Sequence, residues 1–255
     1  MRKSKHSLPL ILALESSGDS GGAALLRGDS VVAEHAITDA RAHGRQLVPC
    51  IDAVFEKARA ARSDLSLVLV NQGPGSYTGL RIGQAAAETI ALVLGIPVLG
   101  VPALEVMCEE ALQLGLIPDD ATTLLPALDA RRGEFVCARF EKRDEMLARD
   151  CDDEVIPPAK LCEFAPDGGV LFGDAARIYA AEIPSGFTLI SDEIALRASS
   201  VGLAAWRMWS EQLNDPASIA IARVELSYFR PVLAQTVAER QAIAEAKAAA
   251  RRKTK

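Results

Sequence analysis

Apolar runs alternate with turn residues along this chain, at spacings typical of a mixed α/β protein. Four such runs predict β-strands in the first part of the chain, at 9–14, 23–26, 31–37 and 67–70. The strand at 67–70 is apolar throughout, as in a parallel sheet that is buried on both faces. Apolar residues at helical spacing predict helices at 44–62 and 79–94, and Gly95 is suited to end the second.

The same order, three strands and then alternating helices and strands, recurs more loosely in the second half. A strand at 97–101 and a helix at 102–114 follow the helix at 79–94. Further strands are predicted at 124–129, 134–140, 146–149, 170–172 and 188–190, and helices at 157–164, 175–183 and 199–213. The chain therefore predicts a duplicated α/β fold with halves at 8–104 and 105–233. The remaining residues, 234–255, form a basic tail that is helix-prone or disordered.

A glycine-rich segment joins the strand at 67–70 to the helix at 79–94. It reads Gly73-Pro74-Gly75-Ser76-Tyr77-Thr78-Gly79-Leu80-Arg81-Ile82-Gly83. Glycine lets a ligand or another backbone approach closely, and N–H groups at a helix start attract anions. Ser76 or Thr78 is suited to cap the helix. No Lys closes the segment, which excludes a Walker A loop. A phosphate-binding loop and a tight turn without a ligand both remain open.

The second helix carries a stripe of small residues, which recur at every fourth position. The stripe consists of Gly79, Gly83, Ala87 and Ala91. Residues four apart lie on one side of a helix, and small side chains there allow close packing. The stripe packs either on this chain's own sheet or on a helix of a partner.

Composition narrows the classes of function. The net charge of −6 argues against a protein that grips nucleic acid over its whole surface, although 246–255 holds five basic residues and no acidic one. Five scattered cysteines indicate reduced thiols in the cytoplasm. Three histidines without a ligand spacing argue against a histidine metal site. The apolar start of the chain is short for a secretion signal, and no membrane span is predicted.

The glycine segment resembles the signature of the TsaB (YeaZ) family, the dimerisation subunits of the bacterial tRNA threonylcarbamoyladenosine machinery. Shorter matches support the resemblance along roughly residues 8–232. They are Leu12-Ala13-Leu14-Glu15-Ser16-Ser17, His43 with Leu47-Val48-Pro49, Leu128-Asp129-Ala130-Arg131, and Tyr228-Phe229-Arg230.

This resemblance implies an actin-like, Hsp70-like (ASKHA) fold with two facing halves, and a partner subunit without catalytic residues of its own. Such a subunit binds and positions TsaD, a related protein that modifies adenosine 37 of tRNA. A TsaE-like ATPase joins the pair and tRNA is contacted indirectly through the complex, while a homodimer of the subunit alone is left open. The implied partner interface lies on the first two helices, at Leu47, Val48, Ile51, Val54, Phe55, Gly79, Gly83, Ala87 and Ala91.

A second hypothesis is an independent ATP-dependent phosphotransferase or ATPase of the same superfold. Its phosphate and nucleotide site would consist of Glu15, Ser16, Ser17, Gly73, Gly75, Ser76, Thr78 and Asp129.

For the partner-subunit hypothesis we expect no intrinsic cofactor and no bound metal. ATP or ADP at the interface of the complex is the candidate ligand. A metallopeptidase-like protein is the third hypothesis, and the absence of paired histidines argues against it.

Structural roles compete with the catalytic ones at each polar residue of this set. Glu15 stands where an Asp is common in the family, and it either contacts Mg²⁺ through water or accepts hydrogen bonds within its own turn. Asp129 is a base oriented by Arg131, or one half of an ion pair at a hairpin. Asp174 contacts an adenosine or caps a helix. His43 is a general base, or a histidine at a helix entry or an interface.

Overall fold

The computed structural model describes residues 8–39, 42–143, 146–220 and 222–228. The tail predicted over 234–255 lies outside the described residues, and so do Phe229 and Arg230. None of the helices within the described ranges has the length and apolar character that a membrane span requires.

The first half is a five-stranded mixed sheet with helices on both faces. Its strands are β1 (Leu10–Glu15), β2 (Gly21–Arg27), β3 (Ser30–Ile37), β4 (Leu65–Gly73) and β5 (Val98–Pro102). They lie in the order β3-β2-β1-β4-β5. β1 pairs antiparallel with β2 and parallel with β4, and β4 pairs parallel with β5. The helices are α1 (His43–Ala58), α2 (Tyr77–Leu94) and α3 (Ala103–Gln113).

Strand β1 shows why this sheet has helices on both sides. Leu10, Leu12 and Leu14 pack in one apolar cluster with α1 and α2. Ile11 and Ala13 pack in another cluster with α3 and with the second half of the chain. Since side chains alternate across a strand, an apolar run of this kind needs a cover on each face.

The second half repeats the order of the first sheet. Its strands are β6 (Thr123–Arg131), β7 (Glu134–Cys137), β8 (Phe140–Arg143), β9 (Met146–Arg149), β10 (Glu154–Ile156), β11 (Gly169–Phe172) and β12 (Phe187–Leu189). The path β10-β7-β6-β11-β12 matches β3-β2-β1-β4-β5 strand for strand, and β8 pairs with β6 and β9. The helices are α4 (Leu161–Phe164), α5 (Asp174–Ile178) and α6 (Ala198–Leu213). The duplicated α/β fold is confirmed; the boundaries predicted for the halves stay a prediction.

Several predicted elements differ in extent. The strand predicted at 134–140 is divided between β7 and β8, and β10 lay in no predicted element. The helix predicted at 44–62 ends at Ala58, because Arg59 has a left-handed backbone with φ of 51°. The helix predicted at 175–183 ends at Ile178.

Helices α3 and α6 lie between the two sheets and share one apolar cluster with both. Three glutamates of α3 are buried there, and an arginine from the second half neutralises each. The pairs are Glu105–Arg149, Glu109–Arg207 and Glu110–Arg197, with N–O distances of 2.7, 2.8 and 2.8 Å. Because a buried charge without a partner is costly, these pairs tie α3 to the second half.

Candidate functional site

The glycine segment forms the turn from β4 into α2, as predicted. Ser76 is the N-cap of α2, and its Oγ accepts a hydrogen bond from the Gly79 N–H at 3.3 Å. At the other end, Gly95 adopts a left-handed backbone with φ of 66° and closes the helix. The segment therefore fixes where α2 begins and how it leaves the sheet.

The glycines of this turn make room for the chain's own Ser16–Ser17 turn. A Cβ at Gly79 would lie 1.9 Å from the carbonyl oxygen of Ser16, and a Cβ at Gly75 would lie 2.8 Å from Ser17 Cβ. The N–H of Ser76 donates to the Ser17 carbonyl at 2.8 Å, and Ser16 Oγ donates to the Gly79 carbonyl at 2.9 Å. The geometry matches the tight turn without a ligand, because the turn after β1 occupies the concavity.

The Glu15 side chain holds the Ser16–Ser17 turn in place through hydrogen bonds. Its carboxylate is fully buried and accepts hydrogen bonds from Ser17 Oγ at 2.7 Å and from Asn71 Nδ2 at 2.6 Å. Burial raises the pKa of Glu15, and the hydrogen bonds from Ser17 and Asn71 act in the opposite direction. These contacts match the structural alternative for Glu15, in which its carboxylate accepts hydrogen bonds within its own turn.

Asp129 lies in a polar cluster at the end of β6. Its carboxylate, with 7% of the side chain exposed, accepts hydrogen bonds from Tyr179 Oη and from the Arg131 N–H, each at 2.8 Å, and pairs with the Arg131 guanidinium at 3.1 Å. The Asp129 N–H donates to Asp174 Oδ1 at 2.8 Å. Burial raises the pKa of Asp174, as does the charge of Asp129. Asp174 is the first residue of α5, and the capping position belongs to Gly173.

A polar cleft of about 300 Å³ lies between the halves. Of the predicted nucleotide set only Ser17 and Gly75 line it. Four carboxylates face it against one guanidinium; these are Asp19, Asp174, Asp192, Glu193 and Arg177. The charged side chains that line this cleft are mainly acidic, and the Ser16–Ser17 turn fills the glycine turn, so neither offers a phosphate a cluster of positive side chains.

The small-residue stripe faces inward. Gly79, Gly83, Ala87 and Ala91 are all buried, and a Cβ at Gly83 would lie 2.5 Å from Ser16 Oγ and 3.1 Å from Val70 Cγ2. The prediction that these four residues meet a partner helix is therefore wrong for this chain, because they pack on β1 and β4. Val54 of α1, another residue of the predicted interface, is also fully buried and so is not available to a partner.

The outward sides of α1 and α2 form an apolar groove of about 660 Å³, called here the α1/α2 groove. Val48, at 61% exposure, and Val93, at 77%, stand on its two walls. Its other apolar lining residues include Leu47, Ile51, Phe55, Ile82, Ala85, Ala86, Ile90 and Leu94. Four of the predicted α1 interface residues thus line the groove, of which Val48 is exposed whereas Leu47, Ile51 and Phe55 are buried. Exposed apolar patches of this kind are typical of protein contact sites.

His43 begins α1 and is buried, with its Nε2 lacking a hydrogen-bond partner among the described residues. Burial lowers the pKa of His43, against the charges of Asp39 and Asp19. A Cβ at Gly21 would lie 2.9 Å from Nε2, which shows how tightly the ring packs on β2. His43 therefore takes the helix-entry position, one of the alternatives considered for it. Within the described ranges, no group of three or more His, Cys, Asp or Glu residues could hold a metal ion.

Comparison with known proteins decides the family. A protein of Bacillus subtilis (strain 168) named tRNA threonylcarbamoyladenosine biosynthesis protein TsaB is 34% identical over 165 residues, 64% of this chain and 69% of that protein. A family model described as TsaD: tRNA N6-adenosine threonylcarbamoyltransferase matches residues 30–250. The chain belongs to the TsaB (YeaZ) family.

Other members agree over shorter stretches. The TsaB protein of Escherichia coli (strain K12) is 32% identical over 135 residues, 53% of this chain and 56% of that protein. The chain thus spans between about half and about two thirds of these relatives. A structure titled YeaZ from Pseudomonas aeruginosa superposes with a TM-score of 0.68 at 24% identity, over 81% of this chain and 98% of that one. At this identity it supports the ASKHA-like α/β fold alone.

Sequence reasoning missed two features of this TsaB-family chain. The first is the outward apolar side of α2, where Leu92 and Val93 are 80% and 77% exposed. Its signal was present, since two large apolar residues follow one another at the end of a helix whose small residues form the opposite side. The second is the contact between Tyr77 and Tyr228. Both residues belong to segments that carry the family resemblance, but these segments are far apart in the chain.

Proposed function

We propose that this chain is a non-catalytic partner subunit in tRNA threonylcarbamoyladenosine biosynthesis, which binds a TsaD-like protein and positions it for its reaction. The observation that carries the proposal is the open α1/α2 groove. The TsaB relatives of this chain are named for this pathway. The groove offers a contact surface, and none of the candidate catalytic residues weighed above lines it.

The occupant that we propose for the groove is a pair of helices from the TsaD-like protein. Residues 30–250 of this chain match the TsaD family model, so the two proteins have related folds and the partner has helices equivalent to α1 and α2. Two related surfaces of this kind can pack through a pseudo-twofold axis as a four-helix contact. A second copy of this chain would use the same surface, which makes the homodimer a competing occupant.

Two further elements of the proposal rest on the family resemblance. A TsaE-like ATPase joins the assembled pair, and ATP or ADP binds at the interface of the complex. The second fits the observation that the chain's own glycine turn is filled by Ser16 and Ser17, since a nucleotide would then need surfaces from the partner.

The test replaces one exposed residue on each wall of the groove. Val48→Asp and Val93→Asp each place a carboxylate in a surface that pairing would desolvate. Met146→Asp is the matched control, because Met146 is an apolar residue with 71% exposure on β9 in the other half. Association with the cognate TsaD-like protein is measured by titration calorimetry, and the oligomeric state of the chain alone by sedimentation.

We expect each groove variant to weaken the pair by about 100-fold or more, and the control to bind as the native chain does. Native chain that does not associate with the TsaD-like protein would refute the proposal. Groove variants that bind as tightly as Met146→Asp would show that the partner uses another face. ATP turnover by the chain alone, lost on Asp129→Asn, would support the phosphotransferase instead.

A further inference from the structure

The segment 222–228, called here the strap, packs against α2 through one buried residue. Val224 is 5% exposed and belongs to the apolar cluster that contains α1, α2 and β4. Two side chains of α2 bind the backbone of Val224. Gln84 Nε2 donates to the Val224 carbonyl at 2.7 Å, and Glu88 Oε1 accepts from the Val224 N–H at 3.0 Å. Gln84 Nε2 also donates to Glu88 Oε1 at 3.1 Å, so the two side chains act together.

A second contact holds the strap on the end of β4. The Ser227 N–H donates to the Gln72 carbonyl at 2.8 Å. The strap lies close to the chain here, because a Cβ at Gly73 would lie 2.5 Å from the Ser227 carbonyl oxygen. Directly after Ser227, the ring of Tyr228 packs on that of Tyr77, with centroids 5.2 Å apart. The strap is therefore attached both to α2 and to the sheet beneath it.

The strap and the α1/α2 groove lie on different sides of α2. Because an α-helix has about 3.6 residues per turn, Gln84 and Glu88 point away from the side that carries Ala86, which lines the groove. On the inner side, glycine and alanine have few side-chain atoms that interlock with the sheet, and the strap adds a restraint against sliding of α2. A helix moves as a rigid element, so a contact that fixes one side also fixes the groove wall on the other.

We propose that the strap positions α2 as a wall of the groove, so that docking of the strap and binding of the TsaD-like protein favour each other. The inference rests on the proposed function, because it adds a positioning element to the same groove. Water can replace the hydrogen bonds of Val224 when the strap is released, but its side chain then loses its apolar cover. Coupling between two binding events is reciprocal, so each strengthens the other by the same factor.

The experiment measures amide hydrogen exchange at Val224 and Ser227 by NMR, in the full chain alone and with its cognate TsaD-like protein. Glu88→Leu removes the acceptor of the Val224 N–H, whereas Glu88→Gln keeps an oxygen acceptor there. Val224→Ala weakens the strap at a buried position that a partner cannot touch. Glu211→Leu, at an exposed glutamate of α6, is the matched control. Urea unfolding midpoints confirm that each variant is folded.

For the chain alone, we expect Glu88→Leu and Val224→Ala each to speed exchange at the Ser227 amide by about 10-fold. Glu88→Gln should speed it by less, because its amide oxygen still accepts from the Val224 N–H, and Glu211→Leu should behave as the native chain does. Native exchange at Ser227 in both Glu88→Leu and Val224→Ala would overturn the inference, since the two contacts of the strap would then open independently.

For the complex, saturation with the TsaD-like protein should slow exchange at both strap amides of the native chain by about 5-fold or more. The combined variant Glu88→Leu/Val224→Ala should bind the partner weaker by the same factor. Two results would overturn the inference: strap amides that the partner leaves unchanged, and an equal loss of affinity in Glu88→Leu with native exchange at Ser227, which would show direct contact. Native chain that does not pair at all refutes the proposed function instead, whereas normal pairing without protection of the strap refutes this inference alone.

Discussion

The close approach of α2 to the first sheet gives a graded prediction for three Gly→Ala substitutions. A Cβ at Gly79 would lie 1.9 Å from the Ser16 carbonyl oxygen, a backbone atom that cannot turn away. A Cβ at Gly83 would lie 2.5 Å from Ser16 Oγ, which can rotate if it gives up its hydrogen bond to the Gly79 carbonyl. A Cβ at Gly44 would meet only Ile82 Cδ1 at 3.7 Å.

These distances decide whether each substitution lowers or raises the free energy of unfolding. Overpacking costs about 1–3 kcal/mol, and Gly→Ala in a helix contributes about 0.5–1 kcal/mol through the unfolded chain. We expect Gly79→Ala to lower the free energy of unfolding by about 3 kcal/mol, because the whole of α2 must shift. Gly83→Ala should lower it by about 1 kcal/mol, since only one hydroxyl must move. Gly44→Ala should be neutral or slightly stabilising.

The assay is urea unfolding followed by the fluorescence of the two tryptophans in α6, Trp206 and Trp209. Gly44→Ala serves as the control for the helix propensity of Ala. Because the stripe faces inward, the folded variants should bind the TsaD-like protein with native affinity. The reasoning is refuted if Gly79→Ala is as stable as Gly44→Ala, or if Gly83→Ala loses the partner without losing stability.

Two buried carboxylates give the remaining predictions. Burial raises the pKa of Glu15, so its contribution to stability is complete below its unfolded value of 4.5 and is lost as the pH rises through the folded value. The difference in unfolding free energy between native chain and Glu15→Gln should therefore shrink as the pH rises, and a constant difference would contradict this. Arg197→Met should cost about 3–5 kcal/mol, because Glu110 then stays buried without a cation, and adding Glu110→Gln should restore part of that loss in the same unfolding assay.

Much of the fold followed from local pattern. The apolar run at 67–70, the cap at Ser76 and the stop at Gly95 are each set by neighbours within a few residues, and the structure shows all three. The elements that were missed depend on distant partners. Strand β10 is three residues long, and it exists because Glu154–Ile156 pair with β7. Its own sequence gives no signal of that pairing.

The site was less predictable than the fold, because a glycine-rich turn has two uses that look alike in sequence. Glycine leaves space whether a phosphate or the chain's own backbone fills it. Only the position of the Ser16–Ser17 turn, which comes from pairing β1 beside β4, shows that the backbone does. The Tyr77–Tyr228 contact is hidden for the same reason, since the two residues are 151 positions apart in the chain.

The two sides of α2 differ in a way that fits stability on one side and the proposed association on the other. Small residues on the inner side let α2 lie against β1 and β4, so the larger apolar residues are left for the outer side. A monomer gains nothing from Leu92 at 80% exposure or Val93 at 77%, since apolar surface left in water forgoes about 25 cal/mol per Å². Such a distribution is expected of a helix with two packing faces, one filled within the chain and one filled by another molecule. Covering the outer side should therefore stabilise α2 itself, and amide exchange in α2 should slow on binding of the TsaD-like protein while exchange in α5 stays unchanged.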